Sequence, residues 1–326
     1  MSAHPDPVPP VPEPSVPRAR DGRAHREPVR PLLPSPVQEL REPAFERYGV
    51  RLLLKRDDLI HPDIPGNKWR KLAPVLREAD GRTVVTFGGA WSNHLRATAA
   101  AGRLLGFPTV GVVRGEELAG RPLNPSLARC RADGMRLAFV SRSRYRLRGD
   151  AAVRDALVAE AAGPGRPVRV VPEGGSDAAA VRACAVLGEE LAVLRESVPA
   201  VAVACGTGGT LAGLAAGLAP EQEAVGVAVL KGGFLGAGVA AHQRAAFGGE
   251  RGRWTVEDGF HHGGYARTTP ELEGFATAFE QRHGLGVERV YVAKLLHGLA
   301  ALAADGRFRR GTALAAVVTG RPFPEA

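Results

Sequence analysis

The chain is 326 residues long and 44% of its residues are hydrophobic, which is enough for two domains with buried cores. Its net charge is +9, but the cations are scattered and accompany no zinc-finger or RNA-binding motif, so we expect no nucleic-acid partner. Three cysteines without a CxxC pair argue against a disulfide framework or a metal site and suit a reducing cytoplasm, and no apolar run of about 18 residues predicts a membrane span.

The first 36 residues are dense in proline and arginine and lack both the apolar core of a signal peptide and the period of a helix or strand. They predict a disordered or extended arm. Beyond it, short apolar segments alternate with segments of helical periodicity. Strands are predicted over 51–55, 83–87, 109–113, 136–140, 168–171, 200–205, 225–230 and a last one around 317–320. Helices are predicted over 68–79, 93–105, 126–134, 150–162, 178–194 and 210–218.

This alternation predicts an α/β fold with open parallel sheets, and its two series, before and after about residue 172, predict two domains that face a cleft. In such folds ligands bind at the carboxyl ends of the strands. The turns that follow the predicted strands are therefore the places to look for a site.

Lysine is rare in this chain, with only Lys55, Lys68, Lys71, Lys231 and Lys294. An amine can become neutral on burial and can bond covalently to a carbonyl carbon, whereas a guanidinium stays charged. Lys68 follows a Gly-Asn turn and precedes a predicted helix, so it is the candidate for such chemistry. The alternative is an ordinary surface charge on an amphipathic helix.

A glycine-rich loop follows the predicted strand 200–205 and opens the next predicted helix. Glycines let the backbone approach an anion closely, and the free N–H groups of a helix start point towards it. The loop predicts a phosphate cradle, although a tight turn without a ligand would have the same pattern. Its residues are Gly206, Thr207, Gly208, Gly209 and Thr210.

A second glycine turn, after the predicted strand 83–87, leads into Ser92, Asn93 and His94. Ser92 or Asn93 can cap the helix that follows while the remaining N–H groups bind a carboxylate; ordinary capping without a ligand is the alternative. The third glycine turn, at 172–177, is interpreted as a crossing between domains. Tyr265 and Tyr291 are two of only four tyrosines, and core packing is the alternative to a role in a site.

Taken together, the lysine after Gly-Asn, the Ser-Asn-His helix start and the Gly-Thr-Gly-Gly-Thr loop resemble pyridoxal-phosphate enzymes of the tryptophan-synthase-β fold. The chain is most similar to the 1-aminocyclopropane-1-carboxylate deaminase / D-cysteine desulfhydrase family, over about residues 52–320. The resemblance implies fold type II with pyridoxal 5'-phosphate as cofactor. It also implies a homodimer, with a small domain, 67–172, inserted into a large cofactor-binding domain, 37–66 plus 173–326.

The resemblance also implies a role for each matching residue. Lys68 resembles the lysine that binds the cofactor covalently and later transfers protons, and Asn93 the residue that hydrogen-bonds the cofactor's phenolic oxygen. Residues 206–210 resemble the phosphate loop, and Thr319 the hydroxyl partner of the pyridine nitrogen. The substrate carboxylate site corresponds to Ser92, Asn93 and His94, and Tyr265 and Tyr291 correspond to two active-site tyrosines that flank the substrate.

Three departures from the family pattern bear on the reaction. The deaminases carry a glutamate directly after the second tyrosine, where this chain has Val292, and this argues against opening of a cyclopropane ring. Ala293 replaces a glycine, and Arg321 replaces the second glycine after Thr319. Arg321 could contact an acidic substrate or point to solvent.

The leading hypothesis is a lyase or deaminase that removes the α-proton of a small amino acid and eliminates its β-substituent, giving a 2-oxo acid and ammonia, as a D-cysteine desulfhydrase does. One alternative is a β- or γ-replacement enzyme that uses the same cofactor in a biosynthetic pathway. The other is a non-catalytic α/β protein that binds a nucleotide or another anion.

Overall fold

The structure is a computed structural model that describes residues 30–64, 66–78, 81–165 and 167–323. Of the arm predicted over residues 1–36, the stretch 1–29 lies outside these ranges. Ser35 lies inside them and is buried, with its hydroxyl donating to Asp57 Oδ1 at 2.7 Å. None of the helices in the described ranges is both long and apolar enough to cross a membrane.

The described ranges contain ten strands and eleven α-helices. The strands are β1 (Val37–Leu40), β2 (Arg51–Lys55), β3 (Thr83–Gly88), β4 (Thr109–Arg114), β5 (Arg136–Val140), β6 (Val168–Val171), β7 (Ala200–Cys205), β8 (Glu223–Ala228), β9 (Arg253–Glu257) and β10 (Ala313–Val317). The helices are α1 (Pro43–Glu46), α2 (Asn67–Glu78), α3 (Asn93–Leu105), α4 (Pro125–Ala132), α5 (Arg142–Arg146), α6 (Ala151–Ala162), α7 (Ala178–Ala192), α8 (Gly209–Gly217), α9 (Leu235–Phe247), α10 (Pro270–His283) and α11 (Val292–Ala304).

The strands form two sheets. The larger has the order β1-β2-β10-β7-β8-β9, and the smaller has the order β5-β4-β3-β6. Every neighbouring pair is parallel except β1 with β2. The predicted α/β fold with parallel sheets is confirmed. Because the strands are parallel, their carboxyl ends meet at one edge of each sheet, and the glycine turns lie at that edge.

The central strands are buried along their whole length, as parallel strands covered on both faces must be. β10 enters the larger sheet between β2 and β7, although it comes last in the chain. It ends at Val317, so Thr319 lies just beyond the strand, at the same edge as the loop that follows β7.

Helices α7 and α8 pack unusually closely because glycines lie at their contact. A Cβ on Gly217 would lie 2.0 Å from the carbonyl oxygen of Ala185, and one on Gly213 would lie 2.4 Å from that of Val181. Helix α2 contacts both α7 and α3, and so lies between the two sheets. A hydrogen bond of 2.8 Å from Asn67 Nδ2 to Thr210 Oγ1 links the start of α2 to the start of α8. The predicted domain boundaries at 66/67 and 172/173 stay a prediction.

Candidate active site

The turn before Lys68 is fixed to two distant parts of the chain. Gly66 has φ +59°, and a Cβ there would lie 1.5 Å from the carbonyl oxygen of Thr319, so the close approach requires glycine. The backbone N–H of Asn67 donates to that same oxygen at 3.2 Å, and its side-chain Nδ2 donates to Thr210 Oγ1 at 2.8 Å. Lys68 therefore begins its helix between the predicted phosphate loop and the end of β10.

The amine of Lys68 lies in a partly buried position. It donates to the carbonyl oxygen of Gly174 at 3.3 Å. Burial lowers the pKa of Lys68 to about 7, and the positive charge of Lys71 adds to this effect. A large fraction of the amine is therefore neutral at physiological pH, which is the form that can act as a nucleophile or base.

Lys71 is a second amine at the site that the sequence analysis left without a role. Its Nζ donates to the same Gly174 oxygen at 3.2 Å and to Ser176 Oγ at 2.7 Å, and burial lowers its pKa. Neither lysine forms an ion pair with a carboxylate in the described ranges. The signal in the sequence was the spacing of three residues, which puts both side chains on one face of α2.

The turn at 172–177 was interpreted as a domain crossing, and the structure shows that it is also part of the site. Gly174 and Gly175 both have left-handed backbone angles, with φ of 72° and 67°. A Cβ on Gly174 would lie 3.0 Å from Thr207 Cγ2, and one on Gly175 would lie 2.9 Å from His94 Cε1. The turn thus separates the predicted phosphate loop from the start of α3 and presents its carbonyl to the two lysines.

The predicted phosphate loop runs from the end of β7 into α8. Gly208 has φ +85° and precedes the helix without any side-chain cap, so no side chain occupies the first N–H groups of α8. Thr207 Oγ1 lies 2.7 Å from Ser176 Oγ, which in turn accepts the Lys71 amine. The loop therefore combines free backbone donors with a nearby cation, the features of an anion site.

The start of α3 combines a cap with a buried histidine. Ser92 Oγ accepts the N–H of Leu95 at 3.2 Å, so Ser92 caps the helix. Asn93 Oδ1 accepts a hydrogen bond from Arg96. His94 is buried with Nε2 2.8 Å from Thr86 Oγ1, while its Nδ1 has no hydrogen-bond partner in the described ranges. Burial holds the pKa of His94 well below its usual value, so the ring is neutral.

Tyr265 and Tyr291 lie together, with ring centroids 6.1 Å apart in an edge-to-face arrangement. Burial raises the pKa of both phenols, that of Tyr291 well above its ordinary value, so both stay protonated at neutral pH. A Cβ on Gly206 would lie 3.2 Å from Tyr291 Cε1, which places this ring against the predicted phosphate loop. Tyr265 is 42% exposed and lies at the edge of the site.

Two further residues, both missed in the sequence analysis, hold these tyrosines. The carboxylate of Glu288 accepts the N–H groups of Val290 and Tyr291, at 2.7 and 2.8 Å. Lys294 is fully buried and donates to the carbonyl oxygens of His261 and Gly264, at 2.8 and 2.7 Å, which fixes the loop before Tyr265. No local sequence pattern indicates either role, because both depend on how the chain folds back on α11.

The structure shows the surroundings of the three residues that depart from the family pattern. Val292 and Ala293 are buried in the hydrophobic core, so no carboxylate follows Tyr291 along the helix. Arg321 Nε lies 3.2 Å from Asp58 Oδ2, a carboxylate that is almost completely buried. Arg321 is thus engaged in an ion pair within the protein.

Residues 30–320 match the family described as pyridoxal-phosphate dependent enzyme. This chain belongs to that family. Pyridoxal phosphate is its cofactor, and the hypothesis of a non-catalytic binding protein is wrong.

The chain is similar to several proteins of known name. It is 37% identical to a putative 1-aminocyclopropane-1-carboxylate deaminase from Thermotoga maritima, over 57% of this chain and 60% of that protein, so the match spans less than two thirds of that relative. A D-cysteine desulfhydrase from Klebsiella pneumoniae is 30% identical over 88% of this chain and 91% of its own. The crystal structure of a homologue of 1-aminocyclopropane-1-carboxylate deaminase superposes with a TM-score of 0.73 and 26% identity, covering 88% of this chain and 89% of the other.

Proposed function

We propose that this enzyme catalyses β-elimination from a small amino acid, giving a 2-oxo acid, ammonia and the released β-substituent. The observation that carries the proposal is the amine of Lys68, which is held against the Gly174 carbonyl at 3.3 Å and whose pKa of about 7 leaves it neutral enough to act as a base. D-cysteine is the first substrate to test because a relative from Klebsiella pneumoniae is named a D-cysteine desulfhydrase.

The residues present fit pyridoxal phosphate. Residues 206–210 offer backbone N–H groups for the phosphate, and Lys71 offers a cation that has no carboxylate partner among the described residues. We assign the aldehyde carbon to Lys68, the phenolic oxygen to Asn93 and the pyridine nitrogen to the hydroxyl of Thr319. When bound, the cofactor withdraws electrons from the α-carbon of an attached amino acid and so acidifies its α-proton.

The start of α3 suits the substrate carboxylate. Ser92, Asn93 and His94 form its first turn, where the N–H groups and the helix dipole favour a negative charge. The neutral ring of His94 adds no charge of its own. A carboxylate bound there would direct the α-carbon towards the cleft between α3 and Lys68.

Proton transfer is assigned to the groups whose protonation states suit it. Lys68, with its lowered pKa, accepts the α-proton. Tyr265 and Tyr291 keep their protons at neutral pH because their pKa values are raised, so they can donate a hydrogen bond to a departing group. We therefore assign them to the leaving-group side of the site.

Two features support elimination over ring opening. A carboxylate partner would favour a proton on the pyridine nitrogen, whereas a hydroxyl partner such as Thr319 does not. An unprotonated nitrogen suits a reaction in which a good leaving group departs. Where the deaminases carry a glutamate, Val292 is buried and apolar. The carboxylate of Glu288 already accepts two backbone N–H groups.

The test is product formation by the purified holoenzyme with D-cysteine and L-cysteine, followed as pyruvate, ammonia and sulfide. We expect Lys68→Ala to lose turnover by at least about a thousandfold, because it removes the base. Lys231→Ala, at an exposed lysine, is the matched control and should keep wild-type activity. Turnover retained by Lys68→Ala would overturn the assignment of Lys68, and the absence of all three products would overturn D-cysteine and L-cysteine as substrates.

We also propose that the enzyme is a homodimer in the cytoplasm, on the basis of the family resemblance. Light scattering of the purified holoenzyme tests the assembly directly, since a mass of one chain, 34.3 kDa, would contradict it.

A further inference from the structure

Arg114 lies next to the proposed substrate site. It is the last residue of β4, at the carboxyl end of the smaller sheet, and it is exposed. Its Nη2 would lie 3.4 Å from a Cβ on Gly89, so the guanidinium lies against the turn that follows β3. The carbonyl of Gly89 accepts the N–H of Ser92 at 3.1 Å, and this links the turn to the start of α3.

Two arginines near Arg114, in contrast, bind partners within the protein. Arg148 pairs with Glu173 and stacks over the Tyr145 ring at 4.5 Å, and Arg96 donates to Asn93 and Ser126. The guanidinium of Arg114 forms no hydrogen bond or ion pair with any residue that the structure describes. Its one ring contact is a distant one, with the guanidinium carbon 5.8 Å from the centroid of Tyr145.

The charge of Arg114 also acts on Tyr265. Burial raises the pKa of Tyr265, and the positive charge of Arg114 acts against this rise, so the guanidinium lies within electrostatic range of that phenol. Arg114 therefore lies beside the start of α3, against the turn that leads into it. A substrate held by its carboxylate at α3 would have this guanidinium as a neighbour.

We propose that Arg114 determines specificity by binding a negatively charged β-substituent of the substrate. The inference rests on the proposed β-elimination and names the substrate class: amino acids whose β-carbon carries a sulfonate or a phosphate ester. A planar guanidinium suits either group, because its N–H donors match two oxygens at once.

The step is balanced without an external oxidant or reductant. Lys68 takes the α-proton, the bond from Cβ to sulfur or oxygen breaks, and its electron pair leaves with sulfite or phosphate. The released 2-aminoacrylate takes up one water and yields pyruvate and ammonia. Arg114 would stabilise the negative charge on the departing group, both in the bound substrate and during departure.

A binding experiment tests Arg114 apart from turnover. Calorimetry on the holoenzyme would compare 3-sulfopropionate, which has the carboxylate and the sulfonate but no amine to react, with butyrate. We expect the wild type to prefer 3-sulfopropionate by about tenfold to a hundredfold, the range of a charge-assisted hydrogen bond. Arg114→Gln should abolish this preference, whereas Arg131→Gln, at an exposed arginine of α4, should retain it. A preference unchanged in Arg114→Gln would overturn the proposal.

Kinetics complete the test and separate its failure from failure of the proposed function. The substrates are both enantiomers of cysteate and O-phosphoserine, with β-chloroalanine as a small neutral comparison. We expect Arg114→Gln to lower kcat/KM about tenfold or more for cysteate, O-phosphoserine or both, while leaving β-chloroalanine within about twofold, and Arg114→Lys to recover part of the loss. An equal loss on all three substrates would mean that Arg114 binds the α-carboxylate, which would contradict the proposal. If no substrate yields pyruvate, β-elimination itself is wrong.

Discussion

The amines of Lys68 and Lys71 both donate to one carbonyl oxygen, that of Gly174, at 3.3 and 3.2 Å. Two cations that share one acceptor, with no carboxylate partner in the described ranges, repel each other and favour loss of a proton. Burial lowers the pKa of Lys68 to about 7, and the nearby charge of Lys71 adds to this effect, while Lys71 itself offers a cation to an anionic group bound at residues 206–210.

Removing the amine of Lys71 should move the pKa of Lys68 towards its ordinary value. In Lys71→Gln we expect the pKa of Lys68 to rise above 7, because the neighbouring charge disappears, and the affinity for pyridoxal phosphate to fall about tenfold or more. Competitive labelling with acetic anhydride across pH, followed by peptide mass spectrometry, measures the first effect on the apoprotein, with Lys231→Gln as control. An unchanged midpoint for Lys68 would contradict the coupling.

Lys68 should also lower the stability of the apoprotein. Its pKa is lower in the folded state than the ordinary 10.5, so the unfolded chain binds more protons between about pH 7 and pH 10.5, and stability rises with pH across that window. Lys68→Met should therefore raise the free energy of unfolding at pH 7 by about 1 kcal/mol or more, and the gain should shrink towards pH 10.5. Urea denaturation at both pH values measures this, and a gain that grows with pH would contradict it.

The helix that carries Lys68 is held by a buried ion network. Arg70 donates to both carboxylate oxygens of Asp57 and to both of Glu190, at 2.8 and 2.9 Å, and Lys55 binds Glu190 at 2.6 Å. Arg70→Gln leaves the buried Asp57 without a cation and Glu190 with Lys55 alone, so we expect a loss of about 3 kcal/mol or more in the free energy of unfolding. Arg51→Gln is the matched control, since its exposed pair with Glu39 should contribute less than about 1 kcal/mol. Similar losses for the two variants would contradict the account.

Gly66 should be irreplaceable for steric reasons beyond its backbone angle. A Cβ there would lie 1.5 Å from the carbonyl oxygen of Thr319, so Gly66→Ala must push the start of α2 away from the end of β10. We expect loss of cofactor binding and a drop in thermal midpoint. Gly134→Ala is the control, because Gly134 has φ +87° with nothing within 4 Å of a Cβ and should lose only about 1 kcal/mol of stability through strain. Wild-type cofactor affinity in Gly66→Ala would contradict the geometry.

Much of the fold followed from local signals. Helix α3 runs over 93–105, as predicted, because Ser92 caps its start and Gly106, with φ +77°, ends it. Strand β8 lies at 223–228 rather than the predicted 225–230. Its pairing with β7 ends where Cys205 meets Ala228, and no sequence pattern of β8 contains that limit. Edge strands β1 and β9 and the helices α1, α5, α9, α10 and α11 have no counterpart among the predicted elements. Of these, β1, β9, α1 and α5 have only four or five residues each, too few to show a clear period.

The residues of the site likewise fall into those that local sequence patterns predict and those that they do not. The glycine loop, the start of α3 and Lys68 carry local patterns at the ends of elements, and the structure brings them together. Glu288 and Lys294 have no such pattern, and Gly174 lies in a glycine turn whose pattern does not show its role, because all three roles are defined by partners in other elements. Gly174 receives hydrogen bonds from lysines more than a hundred positions away in the sequence. Contacts at that separation depend on how the two sheets meet, which the sequence of either segment alone does not contain.

The most direct test of the account is to find the lysine that holds the cofactor. The holoenzyme is reduced with borohydride, digested and mapped by mass spectrometry, and the chain's five lysines make each site easy to distinguish. The account predicts a pyridoxyl group on Lys68 and on no other lysine. A pyridoxyl group on Lys71 or Lys294, or none on Lys68 in a protein saturated with pyridoxal phosphate, would contradict it.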